Sequence, residues 1–160
     1  MRELALPEIY LPVNMLILYE KIIIDRDRSG NWRFYFGKDG AFFNARNKQL
    51  WVAPEHLQLD TLNLFWNIPF AEEPTQQLSA IQVTQLYQAI DRAAIKKLKP
   101  YYVDSDFERT LPPWIERWTF VKEAKIYTIT IECQATPFQL VQLKKELEQL
   151  LVAASVQNLS

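Results

Sequence analysis

The sequence predicts an α+β fold: an antiparallel β-sheet, made of a meander and a second strand pair, with two α-helices packed on one face. Three observations carry this. Trp32, Phe34 and Phe36 alternate with Arg33 and Tyr35, the two-residue period of a strand. Two stretches place apolar residues at helical spacing behind matching N-terminal signals. The order along the chain is strands, helix, strands, helix, which favours segregated helices over alternating βαβ units.

Taken in order, Leu16 to Ile24 and Trp32 to Phe36 read as strands around the polar turn Asp25 to Asn31. The pair Gly37 and Gly40 marks a second turn, Ala41 to Asn44 a third strand, and Leu50 to Val52 a fourth segment, so residues 14–53 form the strand-rich part. Residues 54–78 read as a connector interrupted by Pro54, Pro69 and Pro74, with room for a short element at Leu59 to Trp66.

Ser79 and Gln82 form a capping box, with Leu78 and Val83 as a hydrophobic staple. Val83, Leu86, Tyr87, Ile90 and Ala94 then continue a helix predicted over 80–98. Residues 117–134 read as a strand pair turning near Glu123 and Ala124. Tyr127, Ile129, Ile131 and Cys133 share one face there, with Thr128, Thr130 and Glu132 on the other. Thr136, Pro137 and Gln139 repeat the helix-start signal, and Leu140, Leu143, Leu147, Leu150, Leu151 and Ala154 predict a helix over 137–154. One domain spanning residues 1–160 is expected, since a chain of this length buries roughly 70% of its unfolded surface.

Composition narrows the function classes. The net charge is -1, with both signs balanced along the chain, so no global field draws in nucleic acid or anionic lipid. No apolar run is long enough to span a bilayer and Met1 to Pro7 does not resemble a secretory leader. A cytoplasmic setting is expected. The chain has 3 glycines, 1 histidine and 1 cysteine. Phosphate-cradling loops, the nucleophile elbow and the four-ligand structural zinc site are therefore without their residues, and no cofactor is expected.

Several smaller motifs have the residue types of a site, and each also has an ordinary structural role open to it. Asp25, Asp27, Ser29 and Asn31 begin like a calcium loop, but the twelfth position holds Phe36 where a bidentate glutamate is required. His56 lies in a loop-like stretch and Cys133 has core parity; both are expected to be structural. Asp104, Asp106, Glu123 and Lys125 have the residue types of a Mg²⁺-dependent nuclease. Arg33, Tyr35, Lys38, Arg46 and Lys48 have the composition of a platform for single-stranded nucleic acid. Arg92, Lys96, Lys97 and Lys99 suit the negative end of the helix dipole.

The reading preferred over those two alternatives is a small soluble, non-catalytic accessory or regulatory domain. It would act by contact with a protein partner or a second copy of itself. The expected interaction surface comprises Arg33, Tyr35 and Thr128 on the sheet face away from the helices, and Trp114 beside the diproline Pro112-Pro113.

Overall fold

A computed structural model of the chain describes residues 14–23, 32–45, 72–103, 114–132 and 136–158. The elements are β1 (Met15–Ile23), β2 (Trp32–Gly37), β3 (Ala41–Ala45), β4 (Gln76–Gln77), α1 (Ala80–Arg92), a 3-10 turn (Ile95–Lys97), β5 (Tyr101–Val103), β6 (Trp114–Lys122), β7 (Lys125–Glu132) and α2 (Phe138–Asn158). Among the described residues the strands form one seven-stranded sheet, in the order β4-β3-β2-β1-β6-β7-β5. The architecture is α+β, and the sheet is mostly antiparallel.

The sheet is not purely antiparallel, which corrects the expected fold. The three-residue strand β5 lies parallel to β7, pairing Tyr101 with Thr130 and Val103 with Glu132. Its cause is the route of the chain. From β4 at one edge of the sheet, α1 and the 3-10 turn carry the backbone to the opposite edge. There Thr130 donates its N–H to the Pro100 carbonyl at 2.9 Å and the new strand is fixed alongside β7.

β1 is the central strand, with Tyr19 opposite both Phe34 and Trp118, and Glu20 opposite both Arg33 and Arg117. Because side chains alternate across a strand, two sets emerge. Ile17, Tyr19, Phe34, Phe36, Trp118, Phe120, Ile129 and Ile131 join Leu86, Ala89 and Ile90 of α1 and Leu140, Leu143 and Leu147 of α2 in one buried apolar cluster. The aromatic members are in edge and stacked contact, Tyr19 lying 4.8 Å from Trp118 and 5.1 Å from Phe34 between ring centroids.

The predicted start of α1 is observed: Ser79 Oγ accepts from the Gln82 N–H at 3.2 Å, and Gln82 Oε1 accepts from the Ser79 N–H at 2.9 Å. Its end falls six residues earlier than the expected Leu98. Ala94 adopts a left-handed backbone with φ 50. At 100° per residue a continued helix would carry Ile95 to the side opposite Leu86 and Ala93; the left-handed residue turns it back into the core, where it is buried. The β6 strand begins at Trp114, three residues before the expected Arg117. α2 runs from Phe138 to Asn158, four residues past the expected end.

The β6–β7 hairpin closes through Glu123 and Ala124, both with positive φ, at 53 and 62. Two positive angles between the paired Lys122 and Lys125 make a type I′ turn, which here contains neither glycine nor asparagine. Ala124→Gly is expected to stabilise the protein by about 1 kcal/mol, since glycine occupies the left-handed region without the Cβ penalty. Urea unfolding of the two proteins checks this; an unchanged or lowered midpoint would show the turn is not strained.

Candidate interaction surface

The sheet face carrying Arg33 and Tyr35, on which the register also places Glu20, was expected to be partly wet. At its centre it is not: Leu18, Glu20, Arg117 and Thr119 are all 0% exposed. Glu20 accepts from Arg33 Nε at 3.0 Å and from Arg117 Nε and Nη2 at 2.9 and 2.7 Å. A line of buried charge therefore crosses β2, β1 and β6. Burial lowers the Arg33 guanidinium from its ordinary value; the Glu20 carboxylate opposes that shift and Arg117 adds to it.

The four residues expected to form an interaction surface are not equivalent. Arg33 is buried at 5% exposure in that ion pair. Tyr35 is half-buried, stacked on Phe43 with ring centroids 4.5 Å apart. Thr128 is half-buried on β7 opposite Thr119. Trp114 is also half-buried, with Lys21 Nζ 5.2 Å from its ring centroid. By register Trp114 has the parity of Glu116 and Trp118, whereas Arg33, Tyr35 and Thr128 share the parity of Glu20 and Arg117. The structure thus brings three of them onto one face and places Trp114 on the other.

Of the nuclease set, Glu123 and Lys125 are exposed on the hairpin turn, where Glu123 pairs with Lys96 at 3.3 Å. Asp104 and Asp106 lie outside the described residues, as do His56, Cys133, Arg46, Lys48, Pro112, Pro113, the Asp25 turn and the segments Leu50–Val52 and Leu59–Trp66. A cleft of about 210 Å³ lies beside the same turn, between Tyr87 and Asp91 of α1, Lys38 of the β2–β3 turn and Lys122 to Ala124. Its rim is charge-balanced, with Lys122 bound to Asp91 at 3.2 Å.

On the helix-cluster parity of the sheet, Glu116 accepts from Tyr19 Oη at 3.1 Å and from Trp118 Nε1 at 2.7 Å. Lys144 of α2 holds its Nζ 4.9 Å from the Tyr19 ring and 5.8 Å from the Trp32 ring, while Trp32 Nε1 donates to Asn44 Oδ1. Burial above all, then the Glu116 carboxylate and its hydrogen bond, push the Tyr19 hydroxyl well above its ordinary 10.0. It stays protonated at neutral pH and is no proton shuttle there.

The sign of the pH effect follows. The folded state holds the Tyr19 proton and the unfolded chain releases it near pH 10, so this contribution is complete below pH 10 and falls above it, by about 1.4 kcal/mol per pH unit. Tyr19→Phe is expected to flatten the loss of stability between pH 10 and 11.5. Unfolding curves across that range check it, and equal slopes in the two proteins would refute the assignment.

The outer face of α2 was not anticipated. Leu140, Leu143, Leu147, Leu150 and Ala154 are buried, as their spacing predicts, whereas Phe138, Val141 and Val152 are 75%, 37% and 65% exposed. These three recur with Lys145 and Glu148 at intervals of three and four residues, a continuous stripe on the solvent side of the helix. At the end of the helix pair nearest Val152, Ile81 of α1 is 74% exposed. Gln76, just before α1, donates to Ser155 Oγ, and Arg92 at its other end pairs with Glu146, so α1 runs antiparallel to α2. The signal was present in the sequence as apolar residues off the core stripe.

No protein-family model and no curated protein matches the chain. Among the described residues no helix is long and apolar enough to cross a membrane.

Proposed function

We propose that the protein is a non-catalytic accessory or regulatory domain, cytoplasmic in setting, that works by docking a protein surface onto the outer face of α2. The observation that carries this is the stripe of Phe138, Val141 and Val152, three large apolar side chains left in water on one helix. Isolated exposed apolar residues are ordinary, but a row on one side of a regular element is a means of recognition by another helix. The reading takes both helices to lie on the Tyr19 and Trp118 side of the sheet. Support comes from the shared apolar cluster and from Lys144 reaching the Tyr19 and Trp32 rings. With its inner side committed to the sheet, α2 has its outer side for a partner.

Site-specific photocrosslinking in the native cells tests the proposal. A photoreactive residue at Val141 or Val152 is expected to give one discrete crosslinked band, and the same probe at the exposed Gln85 of α1 none. The absence of any discrete band from the α2 positions, or the same ladder from all three, would overturn it.

A further inference from the structure

Resting on that reading, we infer that the occupant of the α2 face is a second copy of this chain, its α2 packed antiparallel about a twofold axis. Along the stripe the residues follow in the order Phe138, Val141, Lys145, Glu148 and Val152, spaced three, four, three and four. This is the spacing by which two helices keep one seam in contact.

Turned end for end about the point midway between Lys145 and Glu148, the stripe meets itself in complementary register. Lys145 falls opposite Glu148 of the second copy, and Glu148 opposite Lys145 of the second copy. Val141 falls opposite Val152 of the second copy, and the reverse, while Phe138 lies outside the valine layer at either end. The centre holds two Lys145–Glu148 pairs related by the axis, with a valine layer on each side. A parallel arrangement in register would set Lys145 against lysine and Glu148 against glutamate, which is repulsive.

Other features fit the same occupant. Neither Lys145 nor Glu148 takes part in an ion pair among the described residues. The valines are small enough for helix axes to approach to about 8–10 Å, and the Lys145 stem adds apolar surface along the seam. Val141 to Val152 spans about 16 Å of helix, a short contact. The association is therefore expected to be reversible and in the micromolar range, the transient class of interface.

The test is sedimentation equilibrium of the intact protein at concentrations from about 5 to 500 µM, with three variants. Wild type is expected to pass from monomer to dimer within that range. Lys145→Glu and Glu148→Lys should each weaken the dimer by about tenfold or more, because each creates two like-charge contacts across the axis. The double swap Lys145→Glu/Glu148→Lys should recover the wild-type constant to within about threefold, since the pairs are restored in reverse. Circular dichroism of the single variants confirms that they remain folded, and recovery in the double variant does so independently.

A wild type that stays monomeric to the top concentration overturns the inference. So does a double variant no better than the singles. If the protein is monomeric while Val141 crosslinks to a band of another mass, the second-copy inference fails and the docking reading stands. Should crosslinking give no discrete band, both fail.

Discussion

Glu20→Ala is expected to remove about 3–5 kcal/mol of folding stability, the range for breaking a buried ion pair from one side. That is a large share of the 5–15 kcal/mol typical of a folded domain. Glu20 sits at 0% exposure on the central strand, where its carboxylate accepts hydrogen bonds from Arg33 and Arg117 at 2.7 to 3.0 Å. Removing it leaves two guanidinium groups close together, each drawn out of water and each losing an anion.

Glu20→Gln keeps the shape and loses the charge, so it too should cost several kcal/mol. Glu146→Gln provides the contrast. Its pair with Arg92 at 2.8 Å is geometrically similar, but the Arg92 side chain is 60% exposed, and an exposed pair contributes below about 1 kcal/mol. Urea unfolding of the three variants distinguishes them. A loss under 1 kcal/mol at Glu20 would mean that the arginines are satisfied without it.

Gly40→Ala is the second large effect, with an expected loss of about 2–4 kcal/mol. Gly40 has φ 85, and a Cβ there would lie 2.5 Å from Val83 Cγ2 and 3.0 Å from Leu78 Cβ. Backbone strain and collision therefore add. Leu78 and Val83 are the pair that staples the start of α1, and Leu78 N–H is held by the Gly40 carbonyl at 3.1 Å, so the turn and the helix entry cannot move apart cheaply.

Gly40→Ala/Val83→Ala should recover part of the loss by removing the collision while keeping the strain. Gly37→Ala is milder, because the nearest atom to its added Cβ is the movable Asp39 side chain at 2.8 Å. A thermal midpoint for Gly40→Ala within 2 °C of wild type would show that the turn yields.

How much of this could be read from the chain depends on the range of the interactions involved. The capping box of Ser79 and Gln82 is local in sequence and was legible, as was the alternation of Trp32, Phe34 and Phe36. Phe138, Val141 and Val152 stand off the core stripe that the sequence predicts for α2, but nothing local to them says that the folded chain leaves them in water. Alternation placed Arg33 with Tyr35 on the face opposite Trp32, Phe34 and Phe36, and its buried pairing with Glu20, beside Arg117, was not legible because nothing within a few residues of any of the three reveals the others. Tyr101 to Val103 was missed as a strand since three residues carry no period, and its direction depends on where α1 delivers the chain. Ala94 gave no warning either: an alanine is the least expected residue to reverse a helix.

The place of β1 in the sheet has a consequence for how the protein is made. Glu20 meets Arg117 across 97 positions of sequence, so at about 5–20 residues per second on the ribosome its second partner appears some 5–20 s after it does. During that interval the β1 and β2 pair has one finished edge and one open edge, and of the two arginines that bind the carboxylate among the described residues only Arg33 has been made. An open edge on a nascent strand invites pairing with another chain. Until β6 arrives that edge stays open to such pairing, and slowing translation before residue 114 is expected to lower the soluble yield more than the same pause placed after residue 132.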